Sequence, residues 1–309
     1  MTKKILGIST IRSDYDLMSG LYQKLHQTPS VEFKLIVAGT HLSKTYGHSI
    51  DLIRADGIEI LASYETLLDS DSNRSQLKSA SILFQNMIDC VASYQPDLLI
   101  YAGDREDIIL TSIVGHYLGI PTVHFFGGDH GEDGHVDHLI RHATSKLSTA
   151  HVVSTQQHKE RLIALGEESK RIFPLGSVAL DKFVQHQALS LEECQRRIGV
   201  ELQTQKFGLV IFHPIPEEQA HAHHYLENII QTLRKHQLEA FVSYPNTDPG
   251  NKQLISVLQK YEKTPGVHIY KNLERELFVS LYKHAQLIIG NSSSGLLEAA
   301  SIPIPAVNV

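Results

Sequence analysis

Residues 288–299 read IIGNSSSGLLEA: an apolar run that stops at a glycine, then three serines, then leucines at helical spacing. A short apolar run closed by a turn and followed by an amphipathic segment is the repeating unit of a parallel sheet, in which each strand leaves through a loop into a crossover helix. The same unit recurs outward from this point. KKILGIST, FKLIVAGT, PDLLIYAG, PTVHFFGG, AHVVST and RIFPLGS mark strands in the first half; FGLVIFHP, EAFVSYPN, GVHIYKN, AQLIIGNS and IPAVNV mark them in the second. The fold class is therefore α/β, twice over. Between about Val178 and Lys206 the apolar runs stop and the chain turns rich in glutamine and charge. This places an N-terminal domain over 1–177, a connecting segment over 178–206 and a C-terminal domain over 207–309.

Composition agrees with that division, since 309 residues at 42% hydrophobic content suffice for two ordinary cores. With 28 Lys+Arg against 34 Asp+Glu the formal charge is -6. No long-range basic field is available for nucleic acid or an anionic membrane, so neither is expected as a partner. The N-terminal MTKKILGIST lacks a signal-peptide core, and no segment reaches the ~18 apolar residues of a membrane span. A cytoplasmic location is expected. Cys90 and Cys194 are far apart, have no metal-type spacing and read as packing residues.

In an open parallel sheet ligands bind beyond the carboxyl ends of the strands. The strand exits here carry Arg12 and Asp14, Thr40 and His41, Asp104 and Arg105, Asp129, His213, Asn246 and Asp248, and the glycine-serine turn at 290–293. Two such edges face to face would form an interdomain cleft lined by carboxylates, histidines and hydroxyls. A helix starting at Ser293 or Ser294 would offer free N–H groups and a positive dipole end to a phosphate. Serine and asparagine are equally good plain N-caps, and the stretch alone leaves both readings open. G-x-x-x-x-G-K-[ST] is absent and no G-x-G-x-x-G follows a strand, which removes the main support for a P-loop kinase or a dinucleotide enzyme.

GNSSSGLLEA, GTHLSKTYG after the second strand, AGDRED at 102–107 and VDHLIRHATSKLSTAH at 136–151 together resemble the hydrolysing UDP-N-acetylglucosamine 2-epimerases. The likeness runs in order from TIRSDYDLM to IPAVNV, and the wider family of UDP-sugar 2-epimerases has the glycosyltransferase-B architecture, so the resemblance implies two Rossmann-like doubly wound domains. The resemblance implies elimination of UDP with loss of the C2 proton to give a glycal. Water then adds at C1, a proton returns to C2 from the other face, and a free 2-epimerised amino sugar results. By the same resemblance Arg12, Ser292 and Ser293 bind the diphosphate, Glu298 contacts the nucleotide ribose, and Asn246 lies near the nucleotide. Asp104 and Asp137 are the catalytic acids, with Arg141 and His142 orienting them or the substrate, and His213 assists from the second domain. His41 and Arg105 match further substrate contacts. No cofactor and no metal is implied; the partner is a small nucleotide sugar, and a homodimer or higher homo-oligomer is expected.

The sequence departs from the family pattern twice. Human-type hydrolysing members read His-Ile-Glu-Gly-Gly-Glu where this chain has His124-Phe125-Phe126-Gly127-Gly128-Asp129, so Phe126 replaces a carboxylate. A two-residue insertion between Asp129 and Asp137 brings in His130, Glu132, Asp133 and His135. Either one of these groups supplies the missing carboxylate's role, with Asp129 or His130 the expected local substitute, or that position is not the essential base in every branch of the family, or activity is impaired. A more apolar wall would suit a 6-deoxy, 4-acetamido sugar such as the bacillosamine derivative that leads to legionaminic-type acids. The second departure is the end at Val309 within an apolar run, ahead of a family loop that also reaches the nucleotide, which reads as a truncation. Two rival readings share the clamp: a glycosyltransferase of the same architecture, and a catalytically inactive nucleotide-sugar binder.

Overall fold

The computed structural model describes residues 2–70, 72–131, 136–215, 218–246, 248, 250–292 and 294–309. It contains two compact units, one built from Met1–Asp69 with Arg74–Ala179, the other from Leu180–Val309 with Ser70–Asn73.

In the first unit the elements follow the order β1 (Lys3–Ser9), α1 (Arg12–His26), β2 (Val31–Ala38), α2 (Ile50–Ala55), β3 (Ile60–Tyr64), α3 (Asn73–Tyr94), β4 (Leu98–Ala102) and α4 (Glu106–Tyr117). They continue through β5 (Thr122–Phe125), α5 (Val136–Leu147), β6 (Ala150–Val153), α6 (Gln156–Ala164) and β7 (Ile172–Pro174). The strands form one parallel sheet in the order β3-β2-β1-β4-β5-β6-β7. Both faces are covered, which is why the strands read as unbroken apolar runs rather than alternating ones. Phe33, Leu35 and Val37 pack with Tyr15, Met18 and Tyr22 of α1, while Ile36 and Ala38 face the other way, toward Leu83, Met87 and Val91 of α3. β3 carries no comparable run: its residues are half-buried or exposed at the sheet edge, and the sequence reading passed over it.

The second unit holds α7 (Asp181–Gln185), α8 (Leu191–Ile198), β8 (Phe207–Ile211), α9 (Ala222–Lys235), β9 (Glu239–Ser243), α10 (Asn251–Tyr261) and β10 (Val267–Tyr270). After these come α11 (Arg275–His284), β11 (Leu287–Gly290), α12 (Ser294–Leu297) and β12 (Ala306–Asn308). Its parallel sheet has the order β10-β9-β8-β11-β12. The stretch expected as a connection from Val178 to Lys206 folds largely as part of this unit. Phe183, Cys194 and Leu202 are buried in the same cluster as Phe207, Leu209 and Phe241. A few buried side chains in a polar stretch are enough to dock it.

Strand order decides where ligands can go. In the first sheet the order reverses beside β1, which lies between β2 and β4; in the second it reverses beside β8, between β9 and β11. A crevice outside the carboxyl ends at such a reversal is where α/β sheets bind ligands. The residues after β1, β4, β8 and β11 include Arg12, Asp104, His213 and Ser292. Gly290 is fixed by the same geometry. It has φ +151°, and a Cβ there would lie 1.8 Å from the Ile211 carbonyl oxygen on β8, so the turn leaving β11 hugs its neighbour.

Candidate functional site

At the reversal point of the first unit, Gly103 takes φ +97° and delivers Asp104 between β4 and α4. Arg105, not Asp104, occupies the N-cap of α4, and no side chain caps that helix. The Asp104 carboxylate accepts a hydrogen bond from Arg141 instead. Arg141 stands in the second turn of α5, and its other terminal nitrogen lies 3.4 Å from Asp129. One guanidinium therefore gathers the carboxylates that end β4 and follow β5, with side-chain exposures of 22% for Asp104 and 42% for Asp129. Asp137 lies one turn before Arg141 on α5, on the same helix face.

Three buried contacts hold this arrangement from behind. His124 is wholly buried; its Nε2 donates to the Gly103 carbonyl at 2.8 Å, and its Nδ1 accepts from the Ser145 hydroxyl at 3.0 Å. Burial pushes its pKa down to about 3, so it is a neutral strut between β4, β5 and α5. Gly128 has φ +77°, and a Cβ would sit 2.3 Å from the His158 carbonyl, so no other residue fits there. Arg161 donates to the Gly128 carbonyl at 2.6 Å. Between these points Phe126 adopts φ +64°, a conformation that costs a bulky residue about 1–3 kcal/mol and that concentrates at functional sites. Its ring packs on the apolar cluster containing Tyr15, Ile100 and Phe125.

The histidines form a second layer. His130 Nδ1 lies 3.1 Å from His142 Nε2 with the rings stacked, and the His138 ring is 5.0 Å from that of His130. The His130 amide donates to Asp129, and His158 stands 3.6 Å from the same carboxylate. Burial first, then the neighbouring His130 and Arg141, lower the His142 pKa, which favours the neutral ring, able to accept a hydrogen bond. Glu132, Asp133 and His135, considered above as replacement groups, lie outside the described residues.

Two further acids, Asp14 in the first turn of α1 and Asp107 in the first turn of α4, feel the charge of Arg105. Burial pushes Asp14 up to about 7 from 3.8, and Asp107 up to about 6, with Arg105 opposing both shifts. Thr10 donates to Asp14 at 3.4 Å. A carboxyl whose pKa is raised by folding is protonated first in the folded state. Its favourable contribution is complete below about pH 4 and is lost as pH rises through 6 to 7. Asp14→Asn is therefore expected to stabilise the chain by roughly 1–3 kcal/mol above pH 7, and to do nothing near pH 4. Melting curves of both proteins from pH 4 to pH 8 check this; a gain independent of pH would be wrong for a titrating acid.

In the second unit Asn291 clamps His213 by two reciprocal bonds: the His213 amide donates to Oδ1 at 2.9 Å, and Nδ2 donates to the His213 carbonyl at 2.7 Å. The Asn246 amide donates to His213 Nδ1 at 3.4 Å, which leaves the ring proton on Nε2. The serine turn is half of what the sequence suggested. Ser292 Oγ accepts from the Ser294 amide at 3.3 Å, closing the turn, and the helix behind it is only Ser294–Leu297. So short a helix has little dipole, and hydroxyls and amides are what this turn presents. Ser293 lies outside the described residues. A small cavity at the turn is lined by Gly290, Ser292, Gly295 and Asn308.

The profile of the family described as UDP-N-acetylglucosamine 2-epimerase matches residues 23–309. This chain is also 33% identical, over all of its length and 81% of the relative's, to a hydrolysing UDP-N,N'-diacetylbacillosamine 2-epimerase of Legionella pneumophila. The chain belongs to the UDP-N-acetylglucosamine 2-epimerase family. It is 29% identical to a UDP-N-acetylglucosamine 2-epimerase of Neisseria meningitidis, over 99% of the chain and 79% of that protein. Among solved structures, the UDP-GlcNAc 2-epimerase of Methanocaldococcus jannaschii in complex with UDP-GlcNAc and UDP superimposes with a TM-score of 0.81 at 17% identity, covering 100% of this chain and 83% of that one. The α/β reading with two Rossmann-like domains in the glycosyltransferase-B fold is thereby borne out.

Two residues expected to touch the ligand in this epimerase-family chain are placed differently. His41 is wholly buried; its Nε2 lies 2.8 Å from Ser9 Oγ and its Nδ1 2.8 Å from Ser49 Oγ, and burial pushes its pKa down to about 3. Both nitrogens serve the 3₁₀ turn Gly39–Leu42, so His41 belongs to the scaffold. Asn246 spends its side chain on the turn it starts: Nδ2 donates to Asp248, and the Asp248 amide donates back to Oδ1 at 3.2 Å. Arg105 lies 3.9 Å from Glu106, and Arg12 opens α1 at the exit of β1. Glu298 is 7% exposed and bonded to Lys182 and Ser294. Sequence reasoning missed Asn291, hidden beside three serines, and Lys182, hidden in a polar stretch.

Proposed function

We propose that this chain is a hydrolysing nucleotide-sugar 2-epimerase that converts a UDP-linked 2-acetamido sugar and water into UDP and the free manno-configured sugar. The observation that carries the reading is the Asp104–Arg141–Asp129 group at the ends of β4 and β5. Reaction at C2 needs two proton-transfer groups, because a proton leaves one face and another arrives on the opposite one. Asp104 takes the C2 proton as the C1–O bond breaks and UDP departs with the electron pair. Asp137 or the Asp129–His130 pair returns a proton to C2 while water adds at C1. Arg141, and His142 one position on, orient these groups. Arg12 with Ser292 and Ser293 binds the departing diphosphate, His213 donates a hydrogen bond to it through Nε2, and Glu298 accepts hydrogen bonds from the ribose hydroxyls. Asn246 shapes the loop beside His213, and Arg105 steadies Asp104's neighbours.

The sugar we favour is the 2,4-diacetamido-6-deoxy hexose. Phe126 removes a polar group where a sugar hydroxyl would need one, and the relative at 33% identity is named for that substrate. Its product is the kind of amino sugar from which sialic- and legionaminic-type acids are built. UDP release, measured without any acceptor, tests the assignment for UDP-N-acetylglucosamine and UDP-N,N'-diacetylbacillosamine side by side. The reading expects release from both, with kcat/KM at least about tenfold higher for the 6-deoxy sugar, the worth of one apolar contact. Release that requires an added acceptor would make the chain a transferase.

A further inference from the structure

One buried charge that this chemistry leaves unused is Lys182. It lies on α7 in a stretch whose composition reads as solvent-facing, yet its side chain is 5% exposed. Its Nζ is 2.9 Å from Glu298 Oε1, 5.2 Å from the centre of the Phe183 ring and 5.6 Å from that of Phe278. The other Glu298 oxygen accepts from the Ser294 hydroxyl. The Ser294 carbonyl accepts from the Tyr282 hydroxyl at 2.8 Å, and the Tyr282 ring meets Phe183 and Phe278 edge-on. Three elements, α7, α11 and the turn around α12, are thus joined by one polar network inside aromatic walls.

Burying a lysine is costly, and for stability alone an apolar pair of similar size serves as well. What a paired lysine adds is direction. Oε1 is held by a cation that has no room to leave, whereas Oε2 is held by a hydroxyl that rotates about one bond and can give way to another donor. We propose that Lys182 is a positioning residue for nucleotide recognition, anchoring the Glu298 carboxylate so that Oε2 turns from Ser294 to the hydroxyls of a bound ribose. This rests on the ribose-binding role given to Glu298 above.

The test is binding of UDP and of 2′-deoxy-UDP to the full chain, followed by titration calorimetry, for the wild type, Lys182→Met and Lys182→Arg. Wild type is expected to prefer UDP by roughly tenfold or more, the worth of a hydrogen bond to a charged group. Lys182→Met should bring that ratio close to one while 2′-deoxy-UDP binds nearly as before, and Lys182→Arg should restore most of the preference. A Lys182→Met protein that keeps the full preference overturns the inference and leaves the epimerase reading intact. A wild type that binds no UDP overturns the epimerase reading itself. Should Lys182→Met not fold, Ser294→Ala decides the matter, because it leaves the ion pair in place. The preference for UDP should then persist or grow, since Oε2 is freed, and a lost preference would make Ser294, not Lys182, the anchor.

Discussion

Asp104→Asn is expected to lower kcat by about 10²–10⁴-fold, the usual worth of a positioned proton-transfer group, while UDP binding stays within about twofold of wild type. The separation follows from what Asp104 does not do. It does not cap α4, because Arg105 sits at the N-cap, and it follows a glycine at φ +97° that sets the backbone without help from the side chain. Asparagine keeps the shape and one acceptor for Arg141, so stability should change by less than about 1 kcal/mol. Single-turnover rates and UDP titrations on the same preparation check both halves. A variant with unchanged kcat would place the proton chemistry elsewhere, and a variant that unfolds would make Asp104 structural.

Arg141→Leu should cost both turnover and stability. The guanidinium bonds Asp104 and lies 3.4 Å from Asp129, with only 13% of its side chain exposed. Removing it leaves two carboxylates facing each other without their shared cation. The partial exposure of Asp129 lets water screen part of this, so the loss should be about 1–3 kcal/mol rather than the larger figure for fully buried pairs. Turnover should fall by about 10²–10³-fold, because a carboxylate displaced by an ångström no longer meets the C2 hydrogen. Arg141→Lys should recover stability more than rate, since an ammonium supplies charge but not the fork that spans two acids. Denaturant melts and kcat for both variants measure this; equal recovery of rate by lysine would mean that charge alone matters.

Most of the scaffold was legible because parallel strands covered on both faces advertise themselves as apolar runs. β2 reads FKLIVAGT for that reason, whereas the edge strand β3, half-buried and broken by a serine, gives no such run. The positions of Asp104 and His213 just past the ends of β4 and β8 were legible too, because each follows an apolar run in the sequence. What escaped depends on contacts between distant residues. Nothing near His41 announces that Ser9 and Ser49 will occupy both its nitrogens. Nothing in DKFVQ announces that Lys182 will be buried against a glutamate 116 positions later (298 − 182). The serine turn was legible in kind but not in length, because the helix that follows stops after Leu297 and gives way to a 3₁₀ turn at Ala299–Ser301.

The central claim is that this family member breaks C1–O and inverts C2 in one site, with water as the acceptor. Proton NMR in deuterated water, with UDP-N,N'-diacetylbacillosamine and UDP-N-acetylglucosamine in parallel, observes the reaction directly. The account predicts UDP and a free manno-configured sugar whose C2 position carries deuterium from solvent. A product that keeps its nucleotide, or a free sugar that keeps its C2 proton and its original configuration, would contradict it.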